Sequence, residues 1–76
     1  MTTIKELQPG QKAVIRGFTS DDPSMASRMM ALGIIPGEQI EMLRSAPFGD
    51  PMQIKAGSTF ISIRKVDSDF IDIQPS

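Results

Sequence analysis

The stretch from residue 32 to residue 51 contains two turn signals separated by one strand pattern, and it restricts the possible folds more than any other segment. Gly33 ends a helical pattern with a residue type that adopts left-handed backbone angles, and Pro36 and Gly37 suit the central positions of a type II turn. Residues 47–51 (Pro-Phe-Gly-Asp-Pro) place two fixed backbone angles around one permissive glycine. The chain is therefore predicted to reverse direction on both sides of one short strand.

The segment between the two turns, residues 38–44, reads as a half-buried strand. Ile40 and Met42 alternate with polar neighbours in a period of two, which turns the apolar pair toward a core. Leu43 breaks the alternation near the end of the strand.

The rest of the chain predicts one helix and four further strands. Asp22 is a candidate N-cap, and Pro23 suits the first helical position. Met25, Met29 and Leu32 then follow at the spacing of an apolar helical stripe, which predicts that they face the core. The four strands are predicted at residues 11–18, 52–55, 59–63 and 70–74, with residues 64–69 as a connection.

Five short strands with one α-helix after the first strand predict a mainly β fold. In a chain of 76 residues the expected architecture is a small closed β-barrel, because closure removes the strand edges that invite aggregation. We expect residues 1–76 to form one domain, since a chain of this length buries only about 60% of its unfolded surface and has room for one core.

Composition excludes several classes of function. The absence of Cys and His excludes disulfides, thiolate chemistry and imidazole catalysis, and no cofactor is indicated. A net charge of -1 without a concentrated basic face argues against nucleic acid as a partner. No apolar run approaches the roughly 18 residues of a membrane span, and the N-terminus lacks a signal-peptide pattern, so a soluble intracellular protein is expected.

Three segments in register resemble the FeoA family, whose domain is an SH3-like β-barrel. They are residues 32–37 (Leu-Gly-Ile-Ile-Pro-Gly), residues 46–51 (Ala-Pro-Phe-Gly-Asp-Pro), and residues 62–65 (Ser-Ile-Arg-Lys) followed by a final strand. The resemblance implies a non-enzymatic, cytoplasmic accessory protein of bacterial ferrous iron uptake. Its implied partner is the cytosolic region of a FeoB-type GTP-dependent permease, which would bring the protein to the inner membrane.

Phe48 is the first candidate for contact with such a partner. It lies at the tip of a turn, where a core residue would be unusual, so our hypothesis is an exposed anchor. The alternative is that its ring folds back over the end of the barrel, which the general preference of large apolar side chains for burial favours. Of Ile34 and Ile35, one is expected to pack under the helix end and the other to be exposed. The complete set of candidate partner-binding residues is Met30, Ile34, Ile35, Pro47, Phe48, Gly49 and Asp50.

Three other functions are alternatives to a binding module. Asp67, Asp69 and Asp72 could hold a cation or sense iron as carboxylate ligands, although solvated surface charge explains them as well. One of three arginines could reach a nucleotide phosphate in trans, or form a structural ion pair instead; they are Arg16, Arg28 and Arg64. A reader of proline-rich peptides needs an aromatic groove, and the chain has no Trp or Tyr.

Overall fold

The computed structural model describes residues 2–45 and 47–76, and it contains one antiparallel sheet of six strands. The strands are β1 (Thr2–Thr3), β2 (Lys12–Phe18), β3 (Gln39–Ser45), β4 (Met52–Ala56), β5 (Thr59–Ile63) and β6 (Ile71–Pro75). Helix α1 (Pro23–Ala31) follows β2, and the short helix α2 (Lys65–Ser68) follows β5. The strand order is β1-β6-β2-β3-β4-β5, so β6 lies between β1 and β2.

This architecture confirms a mainly β fold and corrects three of its details. The sheet has six strands rather than about five, because β1 pairs with β6 through Thr2 and Thr3. Two residues are too few to show a period of two in the sequence. The pairing runs as an open order from β1 to β5, in place of the predicted closed barrel. Residues 64–69, predicted as a connection, contain α2.

The start of α1 confirms the predicted cap. The backbone N–H of Ser24 donates to Asp22 Oδ1 at 2.9 Å, and Pro23 occupies the first turn. This bond satisfies one of the backbone donors that a helix leaves unpaired at its start. No helix in the described residues is both long enough and apolar enough to cross a membrane.

The end of α1 is closed by two backbone hydrogen bonds around Gly33, whose φ is +105°. The N–H of Gly33 donates to the carbonyl of Met30 at 3.0 Å, and the N–H of Ile34 donates to that of Met29 at 3.0 Å. This is the Schellman arrangement, in which the apolar residue after the glycine packs back on the helix. A turn follows in which Glu38 N–H donates to the carbonyl of Ile35 at 3.0 Å.

The core lies between the inward faces of the strands and α1. Met25 and Met29 of α1 are buried, as the helical stripe predicts. In β3, Met42 pairs with Ile54 but Arg44 pairs with Gln53, so the strand contains a bulge at Leu43. The break in sequence alternation at Leu43 therefore marks a real irregularity of the ladder. The buried strand residues are Ala13, Ile15, Ile40, Met42, Met52, Ile54, Ala56, Ile61, Ile63, Ile71 and Ile73.

Candidate functional site

The loop that joins β3 to β4 presents an aromatic ring to solvent. Phe48 is fully exposed, at 102% relative accessibility, and its φ is +69°. The alternative in which its ring folds back over the barrel is therefore wrong for this structure. A left-handed backbone at a residue other than glycine costs roughly 1–2 kcal/mol. Phe48 is therefore a large apolar side chain outside the core, on a backbone conformation that phenylalanine does not favour. The role of Phe48 as a partner anchor stays a prediction.

Asp50 connects this loop to α2. Its Oδ1 accepts a hydrogen bond from the backbone N–H of Lys65 at 3.0 Å. The N-cap residue of α2, Arg64, makes no capping bond with its own side chain, so Asp50 supplies an acceptor from another part of the chain. Gly49 has a φ of +79°, and the peptide between Asp50 and Pro51 is cis. The side chain of Pro47, which belongs to the predicted site, lies outside the described residues, as does Ala46 of the preceding segment.

The predicted residues at the end of α1 divide into exposed and buried ones. Met30 and Ile35 are partly exposed, at 43% and 44%, so both are accessible to a partner. Ile34, also predicted as a partner-binding residue, is completely buried at 0%, so its side chain is not accessible to a partner in this structure. The cause is the closing motif of α1, because it turns the residue after Gly33 back beneath the helix.

The prediction for Leu32 is wrong in the opposite direction. The helical stripe predicts it in the core, yet it is 45% exposed. It is the C-cap of α1, and its N–H still bonds to carbonyls in the last turn. Ile34 supplies the apolar contact that closes the helix, so the side chain of Leu32 remains at the surface.

Leu32 lines an open groove between α1 and the end of β5. The groove has a volume of roughly 390 Å³. Its lining is Arg28, Met29, Ala31 and Leu32 on the helix, with Ser62, Ile63, Arg64 and Asp67 opposite. A Cβ placed on Gly33 would lie 3.5 Å from Ile61 Cδ1, which shows how closely the end of α1 approaches β5. Sequence reasoning missed this groove because its two walls are about thirty residues apart in the chain.

The groove carries two guanidinium groups and one carboxylate, although the whole chain has a net charge of -1. Arg64 Nε lies 3.2 Å from Asp67 Oδ2, so the charges of these two groups largely neutralise each other. Among the described residues Arg28 forms no ion pair within 4.0 Å. Arg16, the third arginine considered above, lies outside the groove and bonds to Gln74 Oε1 at 3.1 Å.

The acidic residues near the end of the chain contact separate cations. Asp67 pairs with Arg64, Asp72 pairs with Arg16 at 3.6 Å, and Asp69 pairs with Lys5 at 2.7 Å. The hydrogen bond that the Lys5 ammonium donates to the Asp69 carboxylate is the main cause that raises the pKa of Lys5. The candidate carboxylate site is therefore not assembled, and residues 2–45 and 47–76 contain no cluster of three potential metal ligands.

The predicted site residues do not form one continuous surface. Ile35 and Phe48 are attached to opposite ends of β3, which at about 3.3 Å per residue separates them by roughly 20 Å. The loop with Phe48 is instead connected to the groove, because Asp50 bonds to Lys65 and the groove includes the preceding residue, Arg64.

Solved structures share this fold. Iron(II) transport protein A from Clostridium thermocellum is 31% identical, with a TM-score of 0.88 over 97% of this chain. The FeoA protein from Chlorobium tepidum is 26% identical with a TM-score of 0.87, and its match covers 97% of this chain and 70% of its own. Stenotrophomonas maltophilia FeoA complexed with zinc, described as a prokaryotic SH3 domain protein, is 23% identical, with a TM-score of 0.82 and coverage of 97% and 91%.

The matched region is only part of one of these relatives, since this chain spans 45% of the length of the Clostridium thermocellum chain. The likeness to the Stenotrophomonas protein, below 25% identity, supports the SH3-like fold alone. The family model described as FeoA domain matches residues 2–75 of the sequence, which includes all three of the segments in register. The chain therefore belongs to the FeoA family.

Proposed function

We propose that this protein is a cytoplasmic, non-enzymatic accessory factor of ferrous iron uptake that binds and modulates a FeoB-type GTP-dependent permease. Its place of action is the cytosolic region of that permease, so the protein reaches the inner membrane through its partner. Family membership supports the role in iron transport. The observation that carries the binding role is the fully exposed ring of Phe48 on a loop tied to α2.

The physical argument concerns the free energy of leaving that ring in water. Burying a phenylalanine side chain is worth about 1.5–3 kcal/mol, and none of this is gained within the described structure. Aromatic residues in the centre of an interface commonly contribute a large share of the binding free energy. A partner surface with a pocket for Phe48 would recover this energy without any rearrangement of the core.

The test is a pull-down of the purified protein with the cytosolic region of its own organism's FeoB-type permease, in the GTP-analogue, GDP and nucleotide-free states. We expect Phe48→Ser to lose binding with an unchanged melting temperature. Phe70→Ser is the control, because it makes the same substitution at a phenylalanine that is 43% exposed and follows α2 rather than lying in the β3–β4 connection. Its own melting temperature shows what the partial burial of Phe70 contributes. Failure of the wild-type protein to bind in any nucleotide state would contradict the proposal.

A further inference from the structure

Strand β5 has one edge without a partner strand. In the described part of the chain β5 pairs only with β4, and it forms one end of the strand order. An unpaired edge presents backbone N–H and C=O groups in the spacing that another strand requires. The edge is accessible, since Phe60 is 71% exposed and Ser62 is also exposed.

The β4–β5 hairpin determines which groups of β5 face this edge. Its turn consists of two residues, and Gly57 with a φ of +61° takes the first central position. Residues 56 and 59, which flank the turn, are therefore a hydrogen-bonded pair, and pairs along an antiparallel ladder alternate. Ile61 and Ile63 consequently bond to β4, while the backbone groups of Phe60 and Ser62 point outward.

The groove beside α1 runs next to this edge. Ser62 belongs to both, and Leu32 lies across the groove from it. A strand added to β5 would place alternate side chains on each of its faces. One set would meet the apolar floor formed by Met29 and Ile63, so apolar residues at every second position fit this wall.

Charge indicates that one groove-facing position of such a strand should be acidic rather than apolar, because Arg28 lines the same groove as Met29. Arg28 lines the groove and forms no ion pair among the described residues, whereas Arg64 is paired with Asp67. A carboxylate on the incoming segment would pair with Arg28. A second copy of this chain fits less well, because its own β5 carries no acidic residue and is followed by Arg64.

We propose that β5 and the adjacent groove bind an extended segment of a partner as an added seventh strand, whose groove-facing residues are apolar except for one acidic residue opposite Arg28. The inference rests on the proposed function, in which that partner is the cytosolic region of the permease. Backbone hydrogen bonds to Phe60 and Ser62 hold the segment, Leu32 and Met29 receive its apolar side chains, and Arg28 pairs with the acidic one.

Amide hydrogen exchange measured by NMR tests the backbone geometry directly. The probes are the cytosolic region itself and a capped ten-residue peptide of alternating valine and serine, in which glutamate replaces one valine so that it faces the groove. Binding should slow exchange at the Phe60 and Ser62 amides by about tenfold or more, because both become hydrogen-bonded. The amides of Ile61 and Ile63 already bond to β4 and should change little. Binding of either probe without protection of Phe60 and Ser62 overturns the proposal.

Two further measurements test the segment's orientation and charge. Methylating the probe's alternate backbone nitrogens in one register should abolish binding, while methylating the other register should leave it intact. Arg28→Glu should weaken binding about tenfold at low salt. Arg44→Glu is the matched control, since it makes the same charge change on an exposed arginine that bonds to Gln53 and lies outside the groove. Equal loss in both variants would contradict a specific role for Arg28.

The outcomes separate this inference from the function on which it rests. If the cytosolic region binds but leaves β5 unprotected, the strand proposal fails and the proposed function stands. If the cytosolic region does not bind, the proposed function fails, and the glutamate-containing peptide decides the strand proposal alone. Protection of Phe60 and Ser62 in the protein without any probe, together with a dimer in analytical ultracentrifugation, would identify a second copy as the occupant and overturn the proposal.

Discussion

The two connections at the ends of β3 differ in what their apolar residues do. In the connection from α1, the chain places Ile34 in the core and closes both of its turns with backbone hydrogen bonds. In the connection to β4, the chain holds Phe48 entirely in solvent, and the side chain of Asp50 supplies a hydrogen bond to α2. The first arrangement stabilises the fold, whereas the second leaves apolar surface free for recognition.

This difference follows from backbone geometry rather than from hydrophobicity. Both connections contain a residue with a left-handed backbone. In one connection it precedes the apolar residue, and in the other it is the apolar residue itself. After α1 that position is Gly33, which adopts a φ of +105° without a Cβ penalty and turns Ile34 inward. Before β4 the aromatic residue itself has positive φ, so its side chain points away from the sheet.

The largest expected effect on stability comes from truncating Ile34. Ile34→Ala removes a completely buried side chain from beneath α1 and should destabilise the protein by about 2–5 kcal/mol, because it leaves a cavity in a small core. Chemical denaturation measures this free energy of unfolding. Ile35→Ala, one position later and 44% exposed, should cost much less. Equal losses from the two variants would contradict the assignment of Ile34 as the closing residue.

The next effect concerns the glycine that directs Ile34 inward. Gly33→Ala should cost about 1–2 kcal/mol, since alanine is strained at positive φ. Its Cβ would lie 3.5 Å from Ile61 Cδ1, an ordinary contact, so strain rather than collision determines the result. Gly17→Ala is the control, because an added Cβ there meets nothing within 4 Å and no left-handed φ is required. Thermal unfolding of both variants gives the comparison, and an unchanged Gly33→Ala would be the contrary result.

A substitution in the connection to β4 should raise stability rather than lower it. Phe48→Gly relieves the left-handed strain and removes no buried surface, so stability should rise by up to about 1 kcal/mol. The entropy of glycine in the unfolded chain offsets part of this gain. Denaturant unfolding measures the change, while the pull-down should show lost binding. A clear loss of stability would mean that the ring packs against the protein in solution.

The smallest effect lies at the start of α1 and depends on pH. Hydrogen bonds from the Ser24 side chain and backbone lower the pKa of Asp22 from its ordinary value of 3.8. A carboxyl whose pKa is lower in the folded state stabilises the fold above its unfolded pKa, and this contribution is lost as pH falls through the folded pKa. Asp22→Asn keeps the cap without a titrating group.

The difference in melting temperature between wild type and Asp22→Asn should therefore shrink as pH is lowered from about 6 to about 2. Differential scanning calorimetry across this range provides the measurement. A difference that stays constant with pH would show that the charge of Asp22 does not contribute to folding.

Local sequence signals predicted the parts of the fold that depend on neighbouring residues. Asp22 and Pro23 start the helix, Gly33 ends it, and Leu43 marks an irregularity in β3, because each effect is determined within a few positions of the chain. The helical stripe failed at Leu32 for a tertiary reason. Ile34 takes the core position beneath the helix end, and no strand of the described structure covers Leu32.

The groove and the open edge could not be derived in the same way. Each depends on which distant segments meet, and the sequence of β5 reads the same whether its outer edge is paired or free. Strand β1 and helix α2 were missed because two and four residues are too short for a periodic pattern. The exposure of Phe48 was predicted only as one of two alternatives, since the left-handed angle that decides it carries no signal in phenylalanine.

The position of β6 between β1 and β2 also has a consequence for biosynthesis. Residues 71–75 fill an interior place in the sheet, and their partners Thr2, Thr3 and residues 13–18 are synthesised long before them. The ribosome must therefore release nearly all of the described chain before β1 and β2 acquire their common neighbour. Such pairings between distant segments slow folding, because the loop must close before any contact compensates for the lost entropy. Until that moment both early strands carry an unpaired edge, so the sheet is expected to become complete only after residues 71–75 have left the ribosome.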